Sequence, residues 1–563
     1  MIADLDTRCG ELYASGGEVL PAGRADSEAA AQAASGGDRR GSPGEPAGGA
    51  FAASREQFES LIGFLDGADA GGLSHAELEE HLHVHGRELL RRLLDDHLAL
   101  RAVREPRLEQ VTGDEGRART RVEPGHERAL ETVFGTVSVE RLAYRAPGVG
   151  NLHPADAALN LPVERHSHGL RRLCALESPR GSFQDAVQAI ERQTGVRLGK
   201  RQVEELAGLT AMDFEDFYEN RRPARGKQGD LLVLSADGKG IVMRADALRT
   251  RAPARPRAGP APKPRLSGAE QQNRKRMAEI GAVYDAKPAP RTPADILCSA
   301  GPEGYEPEPG PVAKNKWLTA SIVNAPAEVI KRIFDEADRR DPKHRRTWIA
   351  LVDGANHQID RIRFEARKRG IKVTIVVDFV HVLEYLWNAA NCLYPDLDTE
   401  RWVHCQATKI LKGHARKVAG MIRRTATNAR LDGARRKGAD DAANYLTNKA
   451  PYLNYRAALI QGWPIPTGII ERACRHLVKD RFDITGARWG LAGAEAILKL
   501  RAIIANGDFD EYWRFHLARE RRHVHEARYD NHTIPATRQD NPCHFRRAAP
   551  RCCSGACSIL ARG

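Results

Sequence analysis

Three short apolar runs in this sequence lead to an aspartate, and these acids are the residues best suited to chemistry. The runs and their acids are Leu231–Leu234 before Asp237, Trp348–Val352 before Asp353, and Val373–Val377 before Asp378. Such runs predict buried strands, and after Asp237 the glycines at 238 and 240 predict a turn. We therefore expect several carboxylates to converge at one end of a single sheet.

A fourth acid, Glu471, begins a predicted helix after Thr467. Alone, an acid there indicates only a favourable interaction with the helix dipole. Together with Asp237 and Asp353 it suggests a metal site, because crowded carboxylates take up protons unless a divalent cation offsets their repulsion. Mg²⁺, with Mn²⁺ as a substitute, prefers oxygen ligands. Two such ions support phosphoryl transfer.

The composition favours a nucleic-acid partner. The chain has 563 residues, a formal net charge of +13 and a pI near 9.3, which indicates a polyanionic ligand. No apolar run has the length of a membrane span and no signal peptide is recognisable, so we expect a cytoplasmic, nucleoid-associated protein with no membrane partner.

The ten cysteines do not form a disulfide framework. Cys543, Cys552, Cys553 and Cys557 lie near His544 and could hold zinc, but their spacing matches no familiar zinc pattern. We interpret them as solvated thiols.

Two further patterns predict DNA contact. Residues 182–206 have the form of a helix-turn-helix, with Gly195 in the turn and Lys200 and Arg201 at the start of the second helix. A helical hairpin that only packs its apolar residues is the alternative. Basic residues also crowd the loop 249–276 and the helical stretch 401–437, which carries eleven against the single acid Asp432. We favour phosphate contact for both over solvated surface.

Composition and periodicity divide the chain into successive regions. These are a disordered segment (1–55), a helical region with a hairpin (56–150), a helix-turn-helix-like DNA-binding region (151–226), the first part of an α/β catalytic domain with basic and Pro-rich loops at 249–276 and 286–312 (227–392), a basic helical insertion (393–462), the second part of the catalytic domain (463–510), and a C-terminal extension (511–563) that is disordered after 535.

Several motifs resemble bacterial insertion-sequence transposases, with the ISKra-type group, related to Mutator-like transposases, the most similar. They are Ser235–Gly240, Leu351–Gly354, Asp378–Trp387, Thr467–Glu471, Ala473–Arg481, Asp483–Gly490 and Asn506–Trp513. The resemblance spans roughly 78–535.

The resemblance implies a ribonuclease H-like catalytic domain that a helical insertion interrupts and a mainly helical DNA-binding region precedes. A DDE triad would cut and join DNA at terminal inverted repeats and at a target, and a homo-oligomer is expected for DNA-end synapsis. The matching triad is Asp237, Asp353 and Glu471, which would also bind the metal.

Asp378 and His381 match an aspartate–histidine pair of the related enzymes, in which the histidine would position DNA. Helix capping or core packing is the alternative for this pair. The basic residues of the motifs would contact DNA: Lys239, Arg475, Lys479 and Arg488.

One departure from the family concerns Arg472, which stands where relatives tend to carry glycine and adds bulk beside Glu471. The tail after residue 535 also does not resemble the family. Two rival hypotheses follow: a catalytically decayed or co-opted DNA-binding protein, and a hydrolytic nuclease on the same fold.

Overall fold

The structure, a computed structural model, describes residues 49–223, 226–248, 274–297, 305–394, 399–484 and 486–536. Several predictions therefore concern residues outside the described ones. They are the disorder of 1–48, most of the basic loop (249–273), part of the Pro-rich loop (298–304), and the tail from 537 with its cysteines.

The N-terminal region pairs a long helix with a β-hairpin. Its elements are α1 (Ala52–Asp66), α2 (Ala68–Gly71), α3 (His75–Val103), β1 (Val111–Thr112), β2 (Ala118–Arg119), β3 (Arg121–Thr132) and β4 (Gly135–Arg145). Ser74 caps α3 by accepting a hydrogen bond from the Glu77 amide. Leu98 of α3 is buried against the hairpin, whose presence around Gly135 confirms the sequence prediction.

A group of short helices follows. They are α4 (Pro154–Leu159), α5 (His168–Glu177), α6 (Phe183–Thr194), α7 (Lys200–Thr210) and α8 (Phe214–Asn220). Gly195 ends α6 with φ of 70°, the left-handed conformation that glycine adopts without strain. Ile190, Val203 and Leu206 bury the contact between α5, α6 and α7. The two helices and the turn predicted for 182–206 are thus present.

A five-stranded mixed sheet forms the centre of the molecule. Its strands are β5 (Leu231–Val242), β6 (Lys275–Ala286), β7 (Ala313–Ser321), β8 (Trp348–Val352) and β9 (Val373–Val377). Their order is β7-β6-β5-β8-β9, with β7, β6 and β5 antiparallel and β5, β8 and β9 parallel. The α/β class is therefore as predicted.

The prediction that Asp237 enters a turn is wrong. Strand β5 continues to Val242 because residues 237–242 pair with residues 275–280 of β6. Strand β7 was not predicted at all, since its first half, Ala313–Lys316, is polar and largely exposed. Both differences arise from pairing with β6, which local sequence does not reveal.

Helices cover both faces of the sheet. One face carries α10 (Pro326–Arg340). The short helix α9 (Pro293–Leu297) precedes α10 in the chain, and α11 (Asn356–Arg369) follows β8. A Cβ at Gly281 of β6 would lie 2.7 Å from Ile333 of α10, so the absence of a side chain permits this close packing. Successive strand residues face opposite sides, and Asp237, which pairs with the neighbouring Ile280, faces the later helices instead.

A helical block separates β9 from Glu471. It comprises α12 (Phe379–Leu393), α13 (Glu400–Leu411), α14 (Ala415–Asn428), α15 (Gly433–Asn448) and α16 (Tyr455–Ile460). Its buried residues, such as Leu386, Ile410 and Leu446, belong to the same apolar cluster as the sheet. The block therefore packs into the same core as the sheet and is not an appended arm.

Gly462 closes this block, and its replacement provides a stability prediction. Its φ is 69°, and a Cβ there would lie 2.3 Å from the backbone nitrogen of Ala289, which donates a hydrogen bond to the Gly462 carbonyl. Gly462→Ala should cost about 3 kcal/mol through strain and overlap. Gly468→Ala is the control, since a Cβ there meets nothing within 4 Å. Equal urea denaturation midpoints for the two variants would contradict this account.

The last described α-helices pack against earlier parts of the chain. They are α17 (Gly468–Ala473), α18 (Asp480–Phe482), α19 (Leu491–Ala505) and α20 (Phe509–Glu520). The predicted boundary at 510/511 falls inside α20, because Tyr512 and His516 are buried against α8 and its neighbours. Within the described residues, none of the helices combines the length and apolarity needed to cross a membrane.

Candidate functional site

Asp237 and Asp353 lie at the same end of the parallel ladder between β5 and β8. That ladder pairs residues 232–235 with 348–351, so both acids follow its last pair. Ser235 reinforces it by donating a side-chain hydrogen bond of 2.9 Å to the Leu351 carbonyl. The strand pairing thus brings together the two aspartates that the sequence predicted to converge.

The carboxylate of Asp237 is held by its own backbone and by a cysteine. Oδ1 accepts a 2.7 Å hydrogen bond from the Gly238 amide, and Oδ2 accepts a 3.2 Å hydrogen bond from the Cys474 thiol. Burial, followed by the charge of Asp237, raises the pKa of Cys474 well above its usual range, so this thiol remains protonated and can donate. Asp237 and Cys474 both lie within motifs that the sequence analysis identified, but the sequence did not predict their contact.

Asp353 is positioned by a tight turn at the end of β8. Its Oδ1 accepts a 2.8 Å hydrogen bond from the Ala355 amide, and its carbonyl accepts one of 2.8 Å from the Tyr445 hydroxyl. Gly354 has φ of 100°, and a Cβ on it would lie 2.8 Å from the same hydroxyl. The helical block therefore helps to fix the orientation of Asp353.

Asp378, at the end of β9, is fully buried, and both of its carboxylate oxygens accept hydrogen bonds. Its carboxylate accepts hydrogen bonds from Thr467 Oγ1 at 2.7 Å, His381 Nδ1 at 2.9 Å, the Val380 amide at 3.1 Å and the Thr467 amide at 3.2 Å. The bond to Val380 caps helix α12. The helix-capping alternative for Asp378 is thus observed, and the same carboxylate also binds Thr467 in the segment between α16 and α17.

The imidazole of His381 is paired with Asp378 and partly open to solvent. The hydrogen bond to Asp378 raises the pKa of His381 to about 9, against the opposing effect of burial. Although burial works in the opposite direction, the hydrogen bonds from His381 and Thr467 lower the pKa of Asp378. Near neutral pH the pair is therefore an imidazolium and a carboxylate. The second ring nitrogen, Nε2, takes no part in the bond to Asp378.

Glu471 joins the same network through Thr467. The Thr467 hydroxyl is 2.8 Å from Glu471 Oε1 and 2.7 Å from Asp378 Oδ2. One hydroxyl has one proton, so it satisfies one of these oxygens at a time. Burial and then the charge of Asp378 raise the pKa of Glu471. The predicted third acid is thus crowded against another carboxylate.

Ligand atoms of Asp378, His381 and Glu471 lie within 4.8 Å of one another. Among the described residues these three side chains form the one such group of candidate ligands, and it differs from the predicted set of Asp237, Asp353 and Glu471. Asp378 has no unused capacity for a strong metal bond, because four donors already occupy its carboxylate. We therefore regard Asp378 as an orienting residue.

The predicted acids act on neighbouring side chains of the same region. The charge of Asp353 contributes to the raised pKa of His381, and the charges of Asp237 and Glu471 both contribute to that of Cys474. Carboxylate oxygens are hard donors of the kind that a divalent cation prefers. Asp237, Asp353 and Glu471 would be the residues to hold it.

No model of a known protein family matches this chain, and no curated protein matches it either.

Glu279 of β6 is an acid of this region that the sequence analysis missed. It pairs with Gly238 across the β5–β6 ladder. Burial, followed by the charges of Asp237 and Asp353, raises the pKa of Glu279 to about 7. The signal available in the sequence was an acid in a strand that is otherwise small and apolar, Met277–Tyr284.

Predicted DNA-contacting residues fall into two places. Lys239 is exposed on β5, and Arg475 and Lys479 are exposed on the π-helical segment Cys474–Lys479 that follows α17. All three are close in the chain to Asp237 or Glu471. Arg475 is 3.9 Å from Asp480. Arg488 is half-buried and precedes Trp489, which hydrogen-bonds with Val242 and Arg244 at the end of β5.

Lys200 and Arg201 occupy the exposed first turn of α7. Arg201 forms an exposed ion pair of 2.9 Å with Glu205, and Gln202 is engaged in capping, since its Oε1 accepts a 2.7 Å hydrogen bond from the Gly199 amide. The first turn of α7 thus offers Lys200 and a weakly paired Arg201 to an anion, while Gln202 serves the helix itself.

Arg472 does not engage Glu471. Its side chain is exposed, and among the described contacts it forms no ion pair with that acid. Neighbouring helical residues point about 100° apart.

Proposed function

We propose that this chain is a DDE-type transposase, a divalent-metal-dependent phosphoryl transferase that cleaves and joins DNA ends. The observation that carries the proposal is the parallel β5–β8 ladder, which brings Asp237 and Asp353 to the same end of two neighbouring strands. Glu471 lies in the same region, since its charge and that of Asp237 both act on Cys474. Acids so placed at the end of a mixed sheet suit a metal-dependent site better than a purely structural role, because a structural site would pair them with cations.

The sheet order supports a ribonuclease H-like assignment for the catalytic domain. An antiparallel half, β7-β6-β5, continues into a parallel half, β5-β8-β9, and the acids stand on the first and fourth strands in chain order. This is the arrangement expected of that fold. The helical block between β9 and α17 then corresponds to the insertion implied by the family resemblance.

The proposed roles follow from the contacts of each residue. Asp237 and Asp353 would hold Mg²⁺ or Mn²⁺, and Glu471 would complete a site. Two bound ions supply the activation of a water or 3′-hydroxyl and the stabilisation of the leaving oxygen. Asp378 orients His381 through Nδ1, so the imidazolium presents Nε2 as a donor suited to a DNA phosphate.

The direct test uses a labelled duplex that carries the terminal repeat flanking the coding sequence. We expect nicking at the repeat boundary with Mg²⁺ or Mn²⁺ and none with EDTA. Supplying pre-cleaved ends and a target plasmid separates a transposase from a hydrolytic nuclease, because only the transposase produces strand-transfer products. Binding without nicking in either metal would refute the proposed activity and favour a decayed or co-opted DNA-binding protein.

The exposed lysines beside the site provide a binding prediction. The double change Lys239→Ala and Lys479→Ala should weaken binding to all duplexes and reduce the slope of log affinity against log salt by about 0.9 for each lost phosphate contact. Fluorescence anisotropy at several salt concentrations measures both. Lys368→Ala is the control: Lys368 is exposed near the far end of α11, roughly 18 Å along the helix from its start after Asp353. An unchanged salt slope would remove these lysines from the DNA interface.

A further inference from the structure

A tyrosine of the helical block contacts the turn that carries Asp353. The Tyr445 hydroxyl on α15 donates a hydrogen bond of 2.8 Å to the Asp353 carbonyl. The same hydroxyl lies over Gly354, whose φ is 100° and where a Cβ would come within 2.8 Å of it. Residue 354 is therefore a glycine for two reasons, a positive φ and the space that the hydroxyl occupies.

The ring of Tyr445 is itself held in place. It stacks on Tyr385 of α12, with ring centroids 4.0 Å apart and planes 18° apart, an arrangement that aromatic pairs favour. One helical turn further along, the Lys449 ammonium donates a hydrogen bond to the Asn356 side chain. Residues four apart lie on one face of a helix, so the same face of α15 contacts both ends of the segment 353–356.

These contacts fix the backbone of Asp353 without occupying its carboxylate. Oδ1 accepts a hydrogen bond from the Ala355 amide, and among the contacts of the described residues no donor reaches Oδ2. A carboxylate oxygen accepts more than one partner. Asp353 is thus held through its main chain, and its side chain retains the capacity to bind a cation.

We propose that Tyr445 is a positioning residue, which sets Asp353 in place for a divalent cation before the cation binds. This inference rests on the proposed function, since Asp353 is one of the proposed ligands. It gives the helical block a role besides contact with DNA phosphates, because α15 fixes a ligand that lies 92 residues earlier in the chain. A ligand that is already oriented loses less conformational freedom when it binds.

The test compares Tyr445→Phe with the unchanged chain in calorimetric Mn²⁺ titration and in hydrogen exchange without metal. Phenylalanine keeps the ring and its stack on Tyr385 but removes the hydroxyl. Because partners that orient a ligand contribute strongly to metal affinity, the affinity for Mn²⁺ should fall about tenfold or more. Without metal, peptides that contain residues 354 and 355 should exchange faster, since the turn loses its support.

Tyr455→Phe is the matched control. The Tyr455 hydroxyl on α16 donates a hydrogen bond of 2.8 Å to the Val377 carbonyl at the end of β9. It is therefore another tyrosine of the helical block that binds the end of a parallel strand, but Val377 has no ligand role. This variant should retain its Mn²⁺ affinity, and its faster exchange should be confined to peptides around residue 377. Both variants lose one hydroxyl hydrogen bond, so their thermal unfolding temperatures should fall by similar amounts.

The outcomes distinguish this inference from the proposed function. If Asp353→Asn abolishes Mn²⁺ binding while Tyr445→Phe leaves it unchanged, or lowers it no more than Tyr455→Phe does, only the role of Tyr445 is overturned. If the unchanged chain binds no Mn²⁺, or Asp353→Asn binds it as tightly, the proposed metal site is overturned and both proposals fail.

Discussion

Asp237→Asn and Asp353→Asn should each reduce metal-dependent cleavage of the terminal repeat by about 10³-fold or more. Each change removes a charged oxygen ligand, and bound metal ions supply several kcal/mol of transition-state stabilisation, with each 1.36 kcal/mol corresponding to a factor of ten in rate. Single-turnover cleavage of a labelled duplex measures the loss. Binding of the same duplex should remain, because neither aspartate carries positive charge for the phosphates.

The control for this prediction is Asp246→Asn. Asp246 is exposed in the short helical turn 245–247 that follows β5, so its change tests the loss of one negative charge near the site without a ligand role. Its cleavage rate should be unchanged within about twofold. Cleavage that survives in Asp237→Asn would exclude that residue from the mechanism, whereas lost binding would indicate a folding defect instead.

Asp378→Ala should be the most destabilising single change in the site, by about 3–5 kcal/mol. Removing one partner of a buried charged pair leaves the other uncompensated, and here His381, Val380 and Thr467 would all lose their acceptor. Urea denaturation measures the change. Asp441→Ala is the control, since Asp441 is exposed on α15 and its loss should cost less than about 0.5 kcal/mol.

The cost of Asp378→Ala should depend on pH in a defined direction. The pKa of His381 is raised from 6.5 to about 9. The stabilisation that the protonated histidine contributes is therefore fully present below pH 6.5 and is lost as pH rises through about 9. The pKa of Asp378 is lowered, so the aspartate side is lost only in acid. A cost that is the same at pH 7 and pH 10 would show that the ion pair contributes little.

Strands with apolar runs of their own were predictable, and strand segments that depend on a partner were not. Residues 231–234 and 348–352 are apolar and buried, and 373–377 are mostly apolar, which makes such runs a sufficient signal. The polar first half of β7 and the Gly-Lys-Gly end of β5 form strands through hydrogen bonding to β6. Backbone pairing of that kind leaves no pattern in the paired residues themselves.

The site, like the fold, was only partly predictable from the sequence. Asp237 and Asp353 could be predicted to converge because each follows an apolar run, and these runs form neighbouring parallel strands. Thr467 lies 89 residues after Asp378 and links that acid to Glu471, and the register of β6 places Glu279 opposite Gly238. These contacts depend on which strands pair and on how the helical block returns, and neither is a local property of the sequence.

The bond between Arg171 and Glu520 has a consequence for the order in which the chain folds. Arg171 is 2% exposed on α5, and it forms an ion pair with Glu520 on α20, 349 residues later. During synthesis the N-terminal helices emerge first, and Arg171 can then pair with the nearby Glu164, but its second carboxylate partner arrives only with α20. A copy truncated ahead of residue 509 would therefore keep this guanidinium buried with one of its two carboxylates, and the contact between α5 and α20 would be lost.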